Sequence, residues 1–69
     1  MSAIKYDIVK KIGVLSKKET GWQRELNVIS WNERPAKYDI RDWAPDGEKM
    51  SKGITISDEE MDKLLEFMK

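Results

Sequence analysis

The sequence predicts an α+β fold: a four-stranded antiparallel sheet followed by one C-terminal helix, in the order ββββα. Three observations carry this. The end of the 69-residue chain holds a full set of helix signals, from Ser57 to Lys69. Four runs before it alternate apolar and polar residues at period two, as half-buried strands do. The links between runs are short, so successive strands are antiparallel neighbours.

The helix is the best-specified element. Ser57 is an N-cap residue, and Glu60 three positions later completes a capping box. Asp58, Glu59 and Glu60 favour the positive end of the helix dipole. Met61, Leu64, Leu65 and Met68 recur at 3-4-3 spacing and form an apolar stripe, with Phe67 beside it.

Residues 3–15 read as the first strand. Ile4, Tyr6 and Ile8 share one side, and in strict phase Ile12 and Val14 join them, with Lys5, Asp7, Lys11, Val9 and Leu15 opposite. Gly13 marks a bend or bulge. Ser16 to Gly21 forms a loop. Trp22 to Trp31 is the second strand, with Trp22, Arg24, Leu26, Val28 and Ser30 on one side and Gln23, Glu25, Asn27, Ile29 and Trp31 on the other. Asn32 to Pro35 links it to the third strand, Ala36 to Trp43. There Lys37, Asp39, Arg41 and Trp43 line one side. Pro45-Asp46-Gly47 has turn chemistry. Gly53 to Ile56 is a short fourth strand with Ile54 and Ile56 directed inward.

The chain is expected to be one domain, residues 1–69, without staples. It has no cysteine and no histidine, so disulfides and most metal sites are excluded and no cofactor or metal is expected. A domain this small buries little surface alone, which favours a homodimer. No apolar run is long enough for a membrane, and the start lacks a signal-peptide core, so a soluble cytoplasmic protein is expected. Catalysis is not expected either, since thiol and imidazole chemistry are missing and no phosphate-binding glycine motif occurs.

The 13 basic and 13 acidic residues cancel, but unevenly. Nine basic and five acidic residues fall in 1–41, a difference of +4; the remainder carries −4. A positive face is therefore compatible with zero net charge. Cations beside aromatic rings are what single-stranded nucleic acid requires: charge for phosphates, ring faces for bases. Candidates are Trp31 and Trp43 with Arg34, Lys37, Arg41, Lys49 and Lys52, and further out Lys17, Lys18 and Arg24. Each has a structural alternative: the tryptophans as core or interface residues, the cations as solvated or salt-bridged surface.

Tyr38-Asp-Ile-Arg-Asp-Trp43, Pro45-Asp-Gly-Glu48 and Lys52-Gly-Ile-Thr-Ile-Ser57, followed by an acidic-start helix, resemble the C-terminal domain of the transcriptional coactivator positive cofactor four. Gly13-Val-Leu15, Gly21-Trp22, Glu25-Leu-Asn27 and Ser30-Trp-Asn32 are similar to its compact bacterial YdbC-like relatives. The resemblance implies a strongly curved sheet, a dimer through helices and sheet ends, and a concave face that binds single-stranded DNA with little sequence preference. It places Trp31, Arg34, Arg41 and Trp43 in that face, with Lys49 or Lys52 from the long loop. It also implies a cytoplasmic, nucleoid-associated setting and service in transcription, replication or repair. One residue fewer precedes Trp43 than in the coactivator, which re-aims its ring. A protein–protein module and a single-stranded RNA binder are the alternative readings.

Overall fold

The computed structural model describes residues 5–69. Four strands, β1 (Tyr6–Lys17), β2 (Gln23–Trp31), β3 (Lys37–Trp43) and β4 (Met50–Ile56), precede helix α1 (Asp58–Phe67). The sheet order is β1-β2-β3-β4 with every pair antiparallel, so each strand lies beside its sequence neighbour. The expected ββββα order is therefore observed. Ile4 lies outside the described residues.

Two strands run past their expected bounds at one end. β1 continues to Lys17, and β4 begins at Met50, three residues before Gly53. The pairing of β1 with β2 has three register shifts, between Ile8 and Lys10, Lys11 and Gly13, and Val14 and Ser16. At each shift β1 spends two residues where β2 spends one. The residues left outside the ladder are Val9, Ile12 and Leu15. A bulge of this kind bends its strand and raises its twist. It also resets the side-chain phase. Ile12 consequently falls out of step with Ile8 and Val14, contrary to the period-two reading, whereas Lys11 pairs with Asn27 and moves onto the Tyr6 side.

The β2–β3 pairing is unbroken from Gln23↔Trp43 to Ile29↔Lys37. Opposed residues share a face. One face therefore carries Tyr6, Ile8, Lys11, Val14 and Lys17 from β1, Gln23 to Trp31 at odd positions from β2, and Lys37, Asp39, Arg41 and Trp43 from β3. The other carries Leu26, Val28, Tyr38, Ile40, Ile54 and Ile56.

The turns follow local chemistry. Asn32 and Glu33 both adopt positive φ (49° and 64°), and the Arg34 amide donates to the Trp31 carbonyl at 2.9 Å. This is the backbone of a tight hairpin turn whose twist suits the flanking strands. Beyond Trp43, the Asp46 side chain accepts from the Glu48 amide at 2.8 Å, and the Gly47 amide donates to Ala44 at 2.9 Å. Gly21, at φ +93°, closes the β1–β2 loop directly against Pro45. A Cβ there would lie 2.7 Å from the Pro45 ring, so the two loops meet only because residue 21 has no side chain.

The helix N-terminus forms the capping box as expected. Ser57 Oγ accepts from the Glu60 amide at 3.1 Å, and Glu60 Oε1 accepts from the Ser57 amide at 2.9 Å. α1 meets the sheet along β3. No residue of α1 is buried. Ile56 is buried as expected, but Ile54 is 59% exposed, contrary to its inward assignment. Among the described residues, no helix is long and apolar enough to cross a membrane.

Candidate nucleic-acid interface

The face that the sequence marks as polar is the better-buried one. Asn27, Ile29, Asp39 and Trp43 are all buried there. Side chains of the same face fold over it. Asp39 sits at the centre and is gripped by Arg41: Nε donates to Oδ1 at 2.6 Å and Nη2 to Oδ2 at 2.8 Å. Two parallel charge-assisted bonds fix the guanidinium plane. A further bond from Arg41 Nη1 to the Ser51 carbonyl, at 3.4 Å, anchors it to β4. Beside this pair, Glu25 accepts from Gln23 at 2.8 Å and from Asn27 at 3.2 Å.

Held in that position, the Arg41 guanidinium lies over Trp31, 4.6 Å from the ring centroid. This is a cation–π contact. Tyr6 reaches in from the start of β1. Its ring centroid is 5.4 Å from Trp31 and 5.7 Å from Trp43, tilted 41° and 51°. The result is a cluster of three aromatic rings with one cation at its edge. The indole N–H groups of Trp31 and Trp43 are buried and find no acceptor among the described residues. Each such orphan donor costs about 1–3 kcal/mol.

Gly53 makes the strand approach possible. It pairs with Arg41 just before the register shift that separates Arg41 from Trp43. A Cβ at residue 53 would collide with the Arg41 Cβ and the Ile40 carbonyl. β4 thus lies close enough to Arg41 to accept its hydrogen bond only because residue 53 is glycine.

Two open clefts flank the aromatic cluster. One, of about 250 Å³, is lined by Trp31, Arg34, Pro35, Lys37 and Thr55. The other, of about 300 Å³, has Lys11 and Lys17 on one side and Ala44, Pro45 and Gly47 on the other, with Gln23 and Glu25 on its floor. Of the sequence candidates, Trp31, Arg34, Lys37, Arg41, Trp43 and Lys17 therefore come together around this face. Lys11 was not among the candidates; the bulges deliver it. The signal for it is the apolar residue at every third position of β1, Val9, Ile12 and Leu15.

The other candidates are placed elsewhere. Lys18 Nζ and Arg24 Nε both bind Asp42, at 2.6 and 3.0 Å, on the opposite face. These two cations hold the Asp42 carboxyl below the usual carboxylate range, the Lys18 bond contributing most. Lys52 lines a cleft with Arg24, Ile40, Asp42 and Ile54. Lys49 is exposed in the β3–β4 turn, where its amide and that of Glu48 bind Asp46 and lower that carboxyl too, Glu48 more strongly. Trp43 is 2% exposed and presents no open ring face.

Comparison with known proteins agrees with this architecture. Residues 18–67 match the family described as Transcriptional Coactivator p15 (PC4). The chain belongs to the PC4 family. A protein from Treponema pallidum (strain Nichols), described as uncharacterized, is 46% identical over 63 residues, covering 91% of this chain and 74% of its own length. Membership in the PC4 family implies nucleic-acid binding and a connection with transcription. The match begins at Lys18, so β1 with Tyr6 and Lys11 precedes it.

Proposed function

We propose that this PC4-family chain binds single-stranded DNA with little sequence preference, across the face centred on Trp31. The observation that supports it best is the Trp31 neighbourhood. A partly exposed indole borders an open cleft that also holds Arg34 and Lys37. Arg34 and Lys37, with Lys11 and Lys17 at the far end, neutralise phosphates. Trp31 receives a base, a contact worth about 1–3 kcal/mol. Arg41 is tied to Asp39, so its role is to fix the indole and the strand rather than to bind phosphate freely. Duplex DNA hides its base faces and binds more weakly.

The acting species is a homodimer. Leu64 and Leu65 of α1 are 41% and 54% exposed, and Ile54 of the sheet is open as well. Apolar surface left open on a domain of this size is the kind that a second copy covers.

Titration of the intrinsic tryptophan fluorescence with an unstructured oligonucleotide longer than about 16 nucleotides tests the reading. Saturable quenching that weakens with salt and is poorer for duplex is expected. Arg34→Ala should lower the salt slope by about 0.7. An equal response to the RNA strand would move the ligand class to single strands in general. No response, with a parallel anisotropy signal also flat, would overturn the reading in favour of a protein partner. Sedimentation at several concentrations checks the dimer.

A further inference from the structure

Base stacking needs a ring face that a base can reach. The interface holds three aromatic rings, but they are not equivalent. Trp43 is 2% exposed and serves as floor. Trp31 is partly exposed and has the Arg41 guanidinium over its ring. Tyr6 is partly exposed, lies against both indoles, and stands at the first position of an edge strand.

We propose that Tyr6 is the second base-stacking side chain of this interface, with Trp43 as the rigid backing that fixes its ring. The proposal rests on the single-strand reading above and adds a residue to it. Two features support the assignment. The register opposes Tyr6 to Trp31, so the two rings are direct cross-strand neighbours and offer adjacent platforms for consecutive bases. The Tyr6 ring is also constrained on two sides by indoles, so little rotamer freedom remains to be lost when a base arrives. Tyr6, in β1, lies before residues 18–67 that match the PC4 family.

The test compares Tyr6→Ala and Tyr6→Phe by anisotropy with a labelled thymidine oligonucleotide. Stacking uses the ring and not the hydroxyl. Tyr6→Ala should weaken binding about 5- to 150-fold, and Tyr6→Phe should stay within about 2-fold of the parent. Circular dichroism and the tryptophan emission maximum of the free variants report whether the fold and the Trp43 environment survive. A second readout does not depend on a folded variant: photo-cross-linking of the parent protein to an oligonucleotide carrying 5-iododeoxyuridine, with the adduct located by mass spectrometry. An adduct on Tyr6 is expected. Unchanged or tighter binding by folded Tyr6→Ala, or cross-links at Trp31 with none at Tyr6, would overturn the proposal while leaving single-strand binding intact. Failure of the parent protein to bind any strand would instead remove the functional reading beneath it.

Discussion

The two faces of the sheet invert the usual arrangement. The face with Glu25, Asp39, Lys37 and Arg41 holds the most deeply buried of the described residues, Ile29, Asn27 and Asp39. The face with Leu26, Val28, Tyr38, Ile40, Ile54 and Ile56, which also carries the Arg24–Asp42 pair, leaves Ile54 59% exposed, and Leu64 and Leu65 of α1 are open as well. The difference lies in what each face can do for itself. Long polar and aromatic side chains reach across a strongly bent surface and satisfy one another, as Arg41 does with Asp39 and Trp31. Aliphatic side chains are too short to cover their neighbours and require another surface.

The contrast can be broken most severely at its centre. Asp39 is 0% exposed, and among the described residues Arg41 is its ion-pair partner, with the Thr55 hydroxyl donating more weakly at 3.5 Å. Asp39→Ala leaves that guanidinium, only 14% exposed, without its counter-charge. A loss of about 3–5 kcal/mol is expected in urea denaturation, as for other broken buried pairs. A smaller effect is expected from Gly53→Ala, which pushes β4 off Arg41 without touching a charge. Overpacking of this kind costs about 1–3 kcal/mol. Quenching of Trp31 by added iodide should also rise, because the guanidinium loses its anchor on β4.

Acid sharpens the comparison, because it acts on the opposite face and on the chain's turns. Asp42, Asp46 and Glu60 all have carboxyls lowered in the folded protein, by Lys18 and Arg24, by the turn amides, and by the Ser57 cap respectively. The unfolded chain therefore takes up protons first as pH falls. Their contribution is present above the ordinary carboxylate range and is lost on acidification below about pH 4. Asp42→Asn should flatten that acid loss in a series of urea midpoints. The smallest effect is expected at Leu65, exposed in α1. Leu65→Ser should change the stability of the isolated chain by no more than about 0.5 kcal/mol, while weakening self-association in sedimentation.

What was legible in the sequence was local. Ser57 and Glu60 are three residues apart, and the capping box they form depends on nothing else. The Pro45-Asp46-Gly47 turn and the bend at Gly13 are legible for the same reason. The burial of Trp43 was not legible, because it depends on Tyr6 arriving from the far edge of the sheet. The pairing of Arg24 and Lys18 with Asp42 is not legible either: the β2–β3 register opposes Arg24 to Asp42, and Lys18 reaches the same carboxylate from the residue after β1. Strict alternation fails along β1 because three bulges interrupt it: Gly13 signals one bend, and only the three-residue spacing of Val9, Ile12 and Leu15 points to the other two. The same bulges hid Lys11, which strict alternation assigns to the wrong face.

Those three bulges have a consequence for the protein as a substance in solution. β1 is an outer strand of 12 residues, rich in valine and isoleucine, with one long edge unpaired among the described residues. A straight strand of that composition is a template on which other chains add as cross-β. Interrupting the ladder at every third residue removes the flat, evenly spaced row of donors and acceptors that such addition needs. The kinks that swing Lys11 and Lys17 toward the aromatic cluster also keep the edge from recruiting strands. Deleting Val9, Ile12 or Leu15 would straighten β1 and expose the chain to fibrillar growth.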